Sequence, residues 1–411
     1  MNTGSLIDNV RVIEVAAGWV GPWAALMLAD LGAEVIKVES VRVPDFNRTT
    51  ESSLPAKSGD SIFYANFPDG ILGDKQWNRN SLLNASCFGK CDVTLDLLHP
   101  AGNKLFMKLV EKSDVFVSNL AVGVDKKLGI TYEALAKVNP QIIYATSAGY
   151  GRKGPYADRV AMGNTIDAAS GISALRDYGD GDSTALTPDV HCDIIAALSI
   201  AFSVVAALYR KQKTGKGMYI DAAMVEPSMI HIGEAIMDYT MNQRIQQSLG
   251  NRDASMSPQG CYPCQGEDEW VTLSIASDEE WQRFVKVTGN PQLANDERFS
   301  TILGRLNNQD ELDKSIASWT GSYTKFEVMD MLQQASIAAG AVCNNKDVYN
   351  NEHLKQRNHW DVVDEPDAGR HTYPGRPWKL LNTKEPEREP APLFGEHNNY
   401  VLKDILGLSA E

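Results

Sequence analysis

The chain has 411 residues, of which 43% are hydrophobic and 22% are charged, and it carries a formal net charge of −14. This composition excludes a disordered chain and a small disulfide-bonded module, and the length predicts about two domains. Phosphate backbones and anionic lipids repel an acidic chain, so neither nucleic acid nor a membrane is an expected partner.

Short β-branched runs alternate with helical patterns over residues 10–150, an order typical of a parallel sheet with helices on both faces. Pro22 opens the first predicted helix, and Gly32 ends it because glycine adopts a positive φ without steric cost. Further helices are predicted near residues 101–111 and 132–138. The predicted strands are residues 10–15, 35–38, 93–97, 115–117 and 142–146. This order predicts a doubly wound α/β fold with a mainly parallel sheet.

A polar stretch over residues 44–90 is too long for an ordinary connection, which predicts a lid or a wrapping arm. The longest apolar run, residues 194–209, is shorter than the roughly 20 residues that cross a bilayer and predicts a buried helix. The six cysteines are few for this length, and the first residues lack the order of a signal peptide. We therefore expect a reducing, cytoplasmic location.

From about residue 226 onward the composition of the chain changes, and the segments become rich in Gly, Pro and Gln. A strand is predicted here at residues 270–275. We expect a large domain that begins with residues 1–225, a smaller α+β domain over 226–325, and a return to the large domain over 326–411. This last part ends in a C-terminal arm with a helix near residues 398–406.

Several common sites are excluded by their missing motifs. The turn over residues 16–22 holds two glycines and no G-x-G-x-x-G, and there is no P-loop, so neither a dinucleotide nor a P-loop nucleotide is expected. Cys261 and Cys264 form a lone C-x-x-C without further ligands, and no H-x-x-x-H or G-x-S-x-G occurs. The sequence therefore predicts no metal site and no zinc or serine hydrolase.

The polar cluster over residues 188–193 ends abruptly at the long apolar run, and Asp193 closes it. A carboxylate at this position can simply cap the helix, or it can act as a nucleophile held at the mouth of a buried segment. Lys127 and the basic string over residues 210–217 are local cations in an acidic chain. They can be solvated helix ends or can bind the phosphates of a small ligand.

A series of motifs along nearly the whole chain resembles the class III CoA-transferases, a family that includes formyl-CoA, carnitine-CoA and aryl-lactate CoA-transferases and α-methylacyl-CoA racemases. Each motif is weak alone, and together they are specific. They are residues 10–15 followed by Gly21-Pro22, 28–39, 93–97, 127–129, 147–151 with Gly154-Pro155, and 214–217 ending at Asp221.

The resemblance implies that Asp193 is the covalent nucleophile, which forms a mixed anhydride with an acyl-CoA and then an aspartyl-CoA thioester. CoA is then a substrate, and no tightly bound cofactor is expected. The implied CoA-binding residues are Asn119, Leu120, Ala121 and Lys127, although many relatives carry a cation at the position of Ala121. The family forms interlocked dimers, which here implies a homodimer or a heterodimer with a related subunit.

The resemblance also implies an acid pocket at the loop after the first strand, with Ala17, Trp19 and Gly163 in its lining. An apolar, aromatic lining predicts a bulky or aromatic carboxylic acid as acceptor, as in subunits of succinyl-CoA:benzylsuccinate-type CoA-transferases. Trp19 and Trp23 can equally be core residues. The alternatives are a non-catalytic CoA-binding partner subunit and a racemase, which is disfavoured because Met162 stands where the racemases have a histidine.

Overall fold

A computed structural model describes residues 4–49, 62–178 and 191–409 of the chain, which divide into two units. The first unit comprises the described residues up to 172, residues 191–234 and residues 356–409. The second comprises residues 173–178 and 235–355. The chain thus returns to the first unit at Gln356, later than the boundary at 326 that we expected from the sequence.

The first unit is built on a parallel sheet of six strands, in the order β3-β2-β1-β4-β5-β6. The five predicted strands are present with boundaries shifted by no more than three residues, and β6 was not predicted. The strands are β1 (Arg11–Val15), β2 (Glu34–Glu39), β3 (Cys91–Thr94), β4 (Val115–Ser118), β5 (Ile143–Ala148) and β6 (Met218–Ala223).

Helices cover both faces of this sheet, which confirms the doubly wound α/β prediction. Successive residues of a strand point to opposite faces. Val12 accordingly packs in one apolar cluster and Ile13 in the other, and both are fully buried. The helices are α1 (Val20–Asp30), α2 (Ser81–Cys87), α3 (Pro100–Glu111), α4 (Val124–Leu128), α5 (Tyr132–Val138), α6 (Gly163–Ser170), α7 (His191–Thr214) and α8 (Val225–Ile230).

The apolar run predicted as a buried helix forms most of α7, and only one of its faces is buried. Ala197, Ile200 and Val204 are fully buried in the core of the first unit, whereas Phe202 is 76% exposed. Among the described residues, α7 is the one helix that is long and apolar enough to span a membrane by length and composition alone.

The second unit combines an antiparallel sheet, in the order β7-β8-β9, with helices. The helix α9 (Gly233–Asn242) contains the point where the chain enters this unit. The remaining elements are β7 (Gln259–Pro263), β8 (Trp270–Ser274), α10 (Asp278–Thr288), α11 (Pro291–Asn295), α12 (Ile302–Asn307), α13 (Gln309–Thr320), α14 (Lys325–Gln334), β9 (Ala338–Ala341), α15 (Asn345–Asn350) and α16 (Glu352–Gln356).

The C-terminal part of the first unit begins with a hairpin of β10 (Trp360–Glu365) and β11 (Gly369–Pro374). The chain then runs to the edge of the parallel sheet, where the His397 N–H donates to the Asp92 carbonyl. The Thr94 N–H donates to Asn398 Oδ1 at 2.8 Å. These bonds cover the exposed edge of β3. A π-helical turn, Tyr400–Ile405, takes the place of the predicted final helix.

Candidate active site

Two cavities open at the carboxyl edge of the parallel sheet, where ligands bind in open α/β folds. Cavity A has a volume of about 370 Å³ and is lined by residues at the ends of β1, β2, β3 and β4. Cavity B has a volume of about 480 Å³ and is lined by residues after β1, β4 and β5 and by the start of α7. Ala17 lines both cavities. The two cavities therefore adjoin where the strand order reverses between β1 and β4.

The residues that the sequence pointed to lie along these cavities. Trp23 packs against the apolar core, whereas Trp19 lines cavity B. Besides Ala17, cavity A contains Leu120 and Lys127, and cavity B contains Trp19, Asn119, Ala121, Gly163 and Asp193.

In the loop between β1 and α1, the N–H and carbonyl groups of Ala17 and Gly18 are all hydrogen-bonded to side chains. Asn119 accepts from the Ala17 N–H at 3.1 Å and donates to the Ala17 carbonyl at 2.7 Å. The Gly18 N–H donates to Asp45 Oδ1 at 3.0 Å, and Asn47 Nδ2 donates to the Gly18 carbonyl at 3.2 Å. These four hydrogen bonds fix the orientation of the backbone at Ala17, the residue shared by the two cavity linings.

Gly18 has a φ of +76°, a conformation that favours glycine. A Cβ added at Gly18 would lie 2.3 Å from Cζ of Phe46, so the aromatic ring packs directly on the backbone. Phe46 also lines cavity B. A side chain at position 18 would displace this ring and alter the wall of the cavity.

A buried cluster of charged side chains contacts the loop between β1 and α1 and helps to hold it in place. Lys37 donates to Glu14 at 2.8 Å, to the Ala16 carbonyl at 2.9 Å and to Asp45 at 3.0 Å. Lys90 donates to the second oxygen of Glu14 at 2.7 Å. Burial by itself would lower the pKa of Lys37, but Glu14 and Asp45 outweigh burial and raise it well above its ordinary value. Lys37 therefore stays charged and fixes Asp45, which in turn holds Gly18.

Arg48 extends the cluster toward the sheet edge. Its guanidinium donates to Glu39 at 2.7 Å and to Asp92 at 3.2 Å, and these side chains are at most 2% exposed. Burial works to raise the pKa of Glu39, but Lys37 and Arg48 hold it at about 2. Burial and the neighbouring Glu39 carboxylate raise the pKa of Asp92 well above its ordinary value, so Glu39 and Arg48 are the paired charges of this part of the cluster.

Asp193 lies in the first turn of α7 and lines cavity B. Partial burial raises its pKa to about 6, and the nearby Asp167 carboxylate adds to this effect, whereas the Cys192 thiol works in the opposite direction. The Cys192 sulfur lies 3.7 Å from Asp193 Oδ2 and 3.1 Å from the Gly163 carbonyl oxygen. A carboxylate with a raised pKa is a stronger nucleophile than one in water.

Other residues of the site were not predicted from the sequence. Phe46 and Arg159 line cavity B, and the Arg159 guanidinium stacks 3.6 Å from the centre of the Tyr156 ring. Arg152 donates to the Leu120 carbonyl at 3.2 Å and pairs with Asp125 at 2.6 Å, which orders the loop after β4. The contacts of Arg152 join residues distant in the chain and leave no periodic signal in the sequence.

The described residues contain no group of three or more His, Cys, Asp or Glu side chains placed to hold a metal ion. Cys261 and Cys264, the lone C-x-x-C, are both free; Cys261 lies on β7 and Cys264 directly follows it.

Comparison with known proteins agrees with this geometry. The family model described as CoA-transferase family III matches residues 7–398. The succinyl-CoA–D-citramalate CoA-transferase of Chloroflexus aurantiacus is 28% identical, over 98% of this chain and 95% of its own length. The succinyl-CoA–L-malate CoA-transferase beta subunit of the same organism is also 28% identical, with the same coverage.

A crystal structure of a CAIB/BAIF family protein from Brucella suis superposes with a TM-score of 0.83 at 25% identity, covering 98% of this chain and 100% of that chain. These matches confirm the family that the motifs resembled. The chain belongs to CoA-transferase family III, and it is a CoA-transferase that moves CoA from an acyl-CoA to a carboxylic acid.

Proposed function

We propose that this transfer proceeds through a covalent intermediate on Asp193. Its carboxylate attacks the thioester carbonyl, the C–S bond breaks, and CoA leaves as a thiolate. The thiolate then attacks the Asp193 carbonyl carbon of the mixed anhydride and releases the donor acid. The acceptor acid reverses these steps. The observation that carries the proposal is the partly buried carboxylate in cavity B, with its raised pKa.

We further propose that cavity A holds the nucleotide part of CoA and that its pantetheine arm passes Ala17 to reach Asp193. The shared lining at Ala17 supports this path. The ammonium of Lys127 supplies a positive charge for the CoA phosphates, and Leu120 and Ala121 border the arm. Asn119 contributes by holding the Ala17 peptide, because both ends of its amide are already engaged there.

Mass spectrometry of the intact protein after incubation with succinyl-CoA tests the covalent step. We expect a CoA-sized adduct on the peptide that contains Asp193 and none in Asp193→Ala. Binding of CoA without an adduct would instead favour a non-catalytic CoA-binding subunit. Exchange of the α-proton in deuterated water without an acceptor acid would favour a racemase. The described lining of cavity B contains Met162 and no histidine, which disfavours that third outcome.

We propose a bulky or aromatic carboxylic acid as the acceptor. Trp19, Phe46, Val160, Met162 and Met224 line cavity B and offer it an apolar surface. Burial of an aromatic ring against such a surface contributes more binding free energy than the contacts of a small polar acid can.

A screen of free acids against succinyl-CoA and acetyl-CoA, read by liquid chromatography, tests this choice of acceptor. In Trp19→Ala we expect kcat/KM for an aromatic acid to fall about 10- to 100-fold, since burial of such a side group is worth roughly 1.5–3 kcal/mol. The value for malate should change far less. Malate or oxalate preferred over every aromatic acid by the unaltered enzyme would refute the proposal.

We propose that a second copy of the chain covers the exposed face of α7 in a homodimer. Leu198, Phe202, Val205 and Tyr209 form an apolar row on this face, with 36–76% of each residue exposed. Such a row on the surface is typical of a protein interface. The resemblance to interlocked dimers supports the same assignment, and a related subunit is the alternative occupant.

Light scattering coupled to size-exclusion chromatography tests the dimer. The unaltered protein should elute with twice the mass of the chain, and Phe202→Asp should elute as a monomer because a buried, unpaired charge opposes association. Leu303→Asp, at a similarly exposed position on α12, is the matched control and should remain a dimer. A monomeric unaltered protein would contradict the proposal.

A further inference from the structure

Asp167 on α6 places a second carboxylate beneath the start of α7. Its side chain is only 4% exposed. Oδ1 accepts a hydrogen bond from the Cys192 N–H at 3.1 Å, while Oδ2 is buried and has no hydrogen-bond partner among the described residues. A buried carboxylate oxygen without a donor is costly.

The same helix α6 holds the start of α7 at a second point. The Cys192 sulfur lies 3.1 Å from the carbonyl oxygen of Gly163, the first residue of α6, and 3.7 Å from Asp193 Oδ2. Asp167 and Gly163 therefore bracket Cys192, and the residue that follows Cys192 is the nucleophile. These contacts hold Cys192 against α6, and the thiol of Cys192 in turn contacts the Asp193 carboxylate.

We infer, on the basis of the covalent function proposed above, that Asp167 is a positioning residue for Asp193. We infer that its charge also shifts the equilibrium of Asp193 from the free carboxylate toward the acylated form. The free enzyme holds two carboxylates close together in a partly buried site. When Asp193 attacks the thioester, a C–O bond forms, the C–S bond breaks, and the thiolate carries away the electron pair. The thiolate then forms a C–S bond to the Asp193 carbonyl, and the donor acid leaves as a carboxylate.

One negative charge thus moves from Asp193 to the released acid, and the repulsion by Asp167 ends. A fixed charge that destabilises only the free carboxylate shifts the equilibrium toward the aspartyl-CoA thioester. The same charge raises the pKa of Asp193, although burial contributes more.

Asp167→Asn tests this inference because an asparagine Oδ1 can still accept from the Cys192 N–H while the charge is lost. At a fixed ratio of succinyl-CoA to succinate, intact-protein mass spectrometry gives the ratio of aspartyl-CoA adduct to free enzyme. We expect this ratio to fall about fivefold in Asp167→Asn, as for a modest change in local charge repulsion. Asp167→Ser provides a second neutral variant in case the first does not fold.

The acid limb of kcat/KM should also move to lower pH in Asp167→Asn. The substitution removes none of the other titratable or charged groups around the start of α7 and in the described lining of cavity B, so a shift reports on Asp167 acting directly or through Cys192. These groups are His191 and Cys192 on α7, His231 after α8, whose ring lies 5.2 Å from that of His191, and Asp158 and Arg159 in the lining of cavity B.

An adduct ratio and an acid limb in Asp167→Asn equal to those of the unaltered enzyme would overturn the inference and leave Asp167 as a helix cap. That outcome is distinct from failure of the covalent mechanism itself. In the latter case the unaltered enzyme forms no adduct at any ratio of succinyl-CoA to succinate.

Discussion

Asp193→Asn is expected to lower kcat by a factor on the order of 10⁴ or more, as is usual when a covalent nucleophile is lost. An amide has nearly the shape of the carboxylate, so cavity B keeps its form, but the amide cannot form the mixed anhydride. Steady-state transfer of CoA from succinyl-CoA to an accepted acid measures the loss. CoA binding should remain within a few-fold of normal, because cavity A is untouched.

Asp404→Asn is the control, since this exposed carboxylate lies in the turn Tyr400–Ile405, outside the described linings of both cavities. It should leave kcat within a few-fold of the unaltered value. The Asp193→Asn enzyme must be freshly prepared and free of deamidated product. If it kept more than a hundredth of normal activity, another group would be the nucleophile.

The pH dependence of kcat/KM follows from the pKa of Asp193, which burial raises to about 6. In the proposed mechanism only the ionised carboxylate attacks, so kcat/KM should be constant above this pH and fall about tenfold for each pH unit below it. A profile that stays flat down to pH 5 would place the nucleophile in a more exposed, better solvated position than the structure gives it.

Lys37→Met is expected to lower the free energy of unfolding by about 3–5 kcal/mol, because it leaves the buried Asp45 without a cation and leaves Glu14 paired with Lys90 alone. Both ion pairs are 0–1% exposed at their side chains. Urea unfolding followed by fluorescence measures the loss. Activity should fall as well, because Asp45 would no longer be fixed where it holds the Gly18 N–H.

Lys75→Met is the matched control for the loss of a lysine ion pair. Lys75 pairs with Asp367 at 3.0 Å, but its side chain is 56% exposed. Exposed pairs of this kind are worth about 0–1 kcal/mol. If both variants lost the same small amount, the buried cluster would not stabilise the first unit as its geometry indicates.

The sequence predicted the sheet well because its strands are buried on both faces and read as short apolar runs. The helix α5 lies at the predicted residues, since Thr131 caps it and its apolar residues recur with helical spacing. The order of these elements along the chain was enough to predict the doubly wound arrangement. Strand β6 was missed because its residues are only partly buried over most of its length.

The end of the second unit could not be located from the sequence. Residues 326–355 form helices and a short strand, a texture that resembles the first unit. In the structure, β9 pairs with β8, and the ammonium of Lys325 contacts Glu269 and Asp347, both at 2.6 Å. Pairing partners so far apart in the chain decide the boundary, and periodicity carries no information about them.

Within the site, the sequence pointed to Asp193 and Trp19 because each has a distinctive local setting. Asp167 and Phe46 escaped prediction for a common reason. Asp167 has a role only because α6 packs against α7, and Phe46 only because a loop brings its ring onto Gly18. The hydrogen-bonding partner of the Asn119 amide likewise depends on geometry that a motif does not encode.

Among the described residues, Ala17 alone lines both cavity A and cavity B, so the two cavities can change almost independently in evolution. If cavity B holds the acceptor acid as proposed, substitutions over residues 157–163 would reshape it without altering any described residue in the lining of cavity A. A duplicated gene could therefore evolve an enzyme for a different acceptor acid while the residues proposed to bind CoA stay unchanged. A substitution of Ala17 would instead alter the walls of both cavities at once.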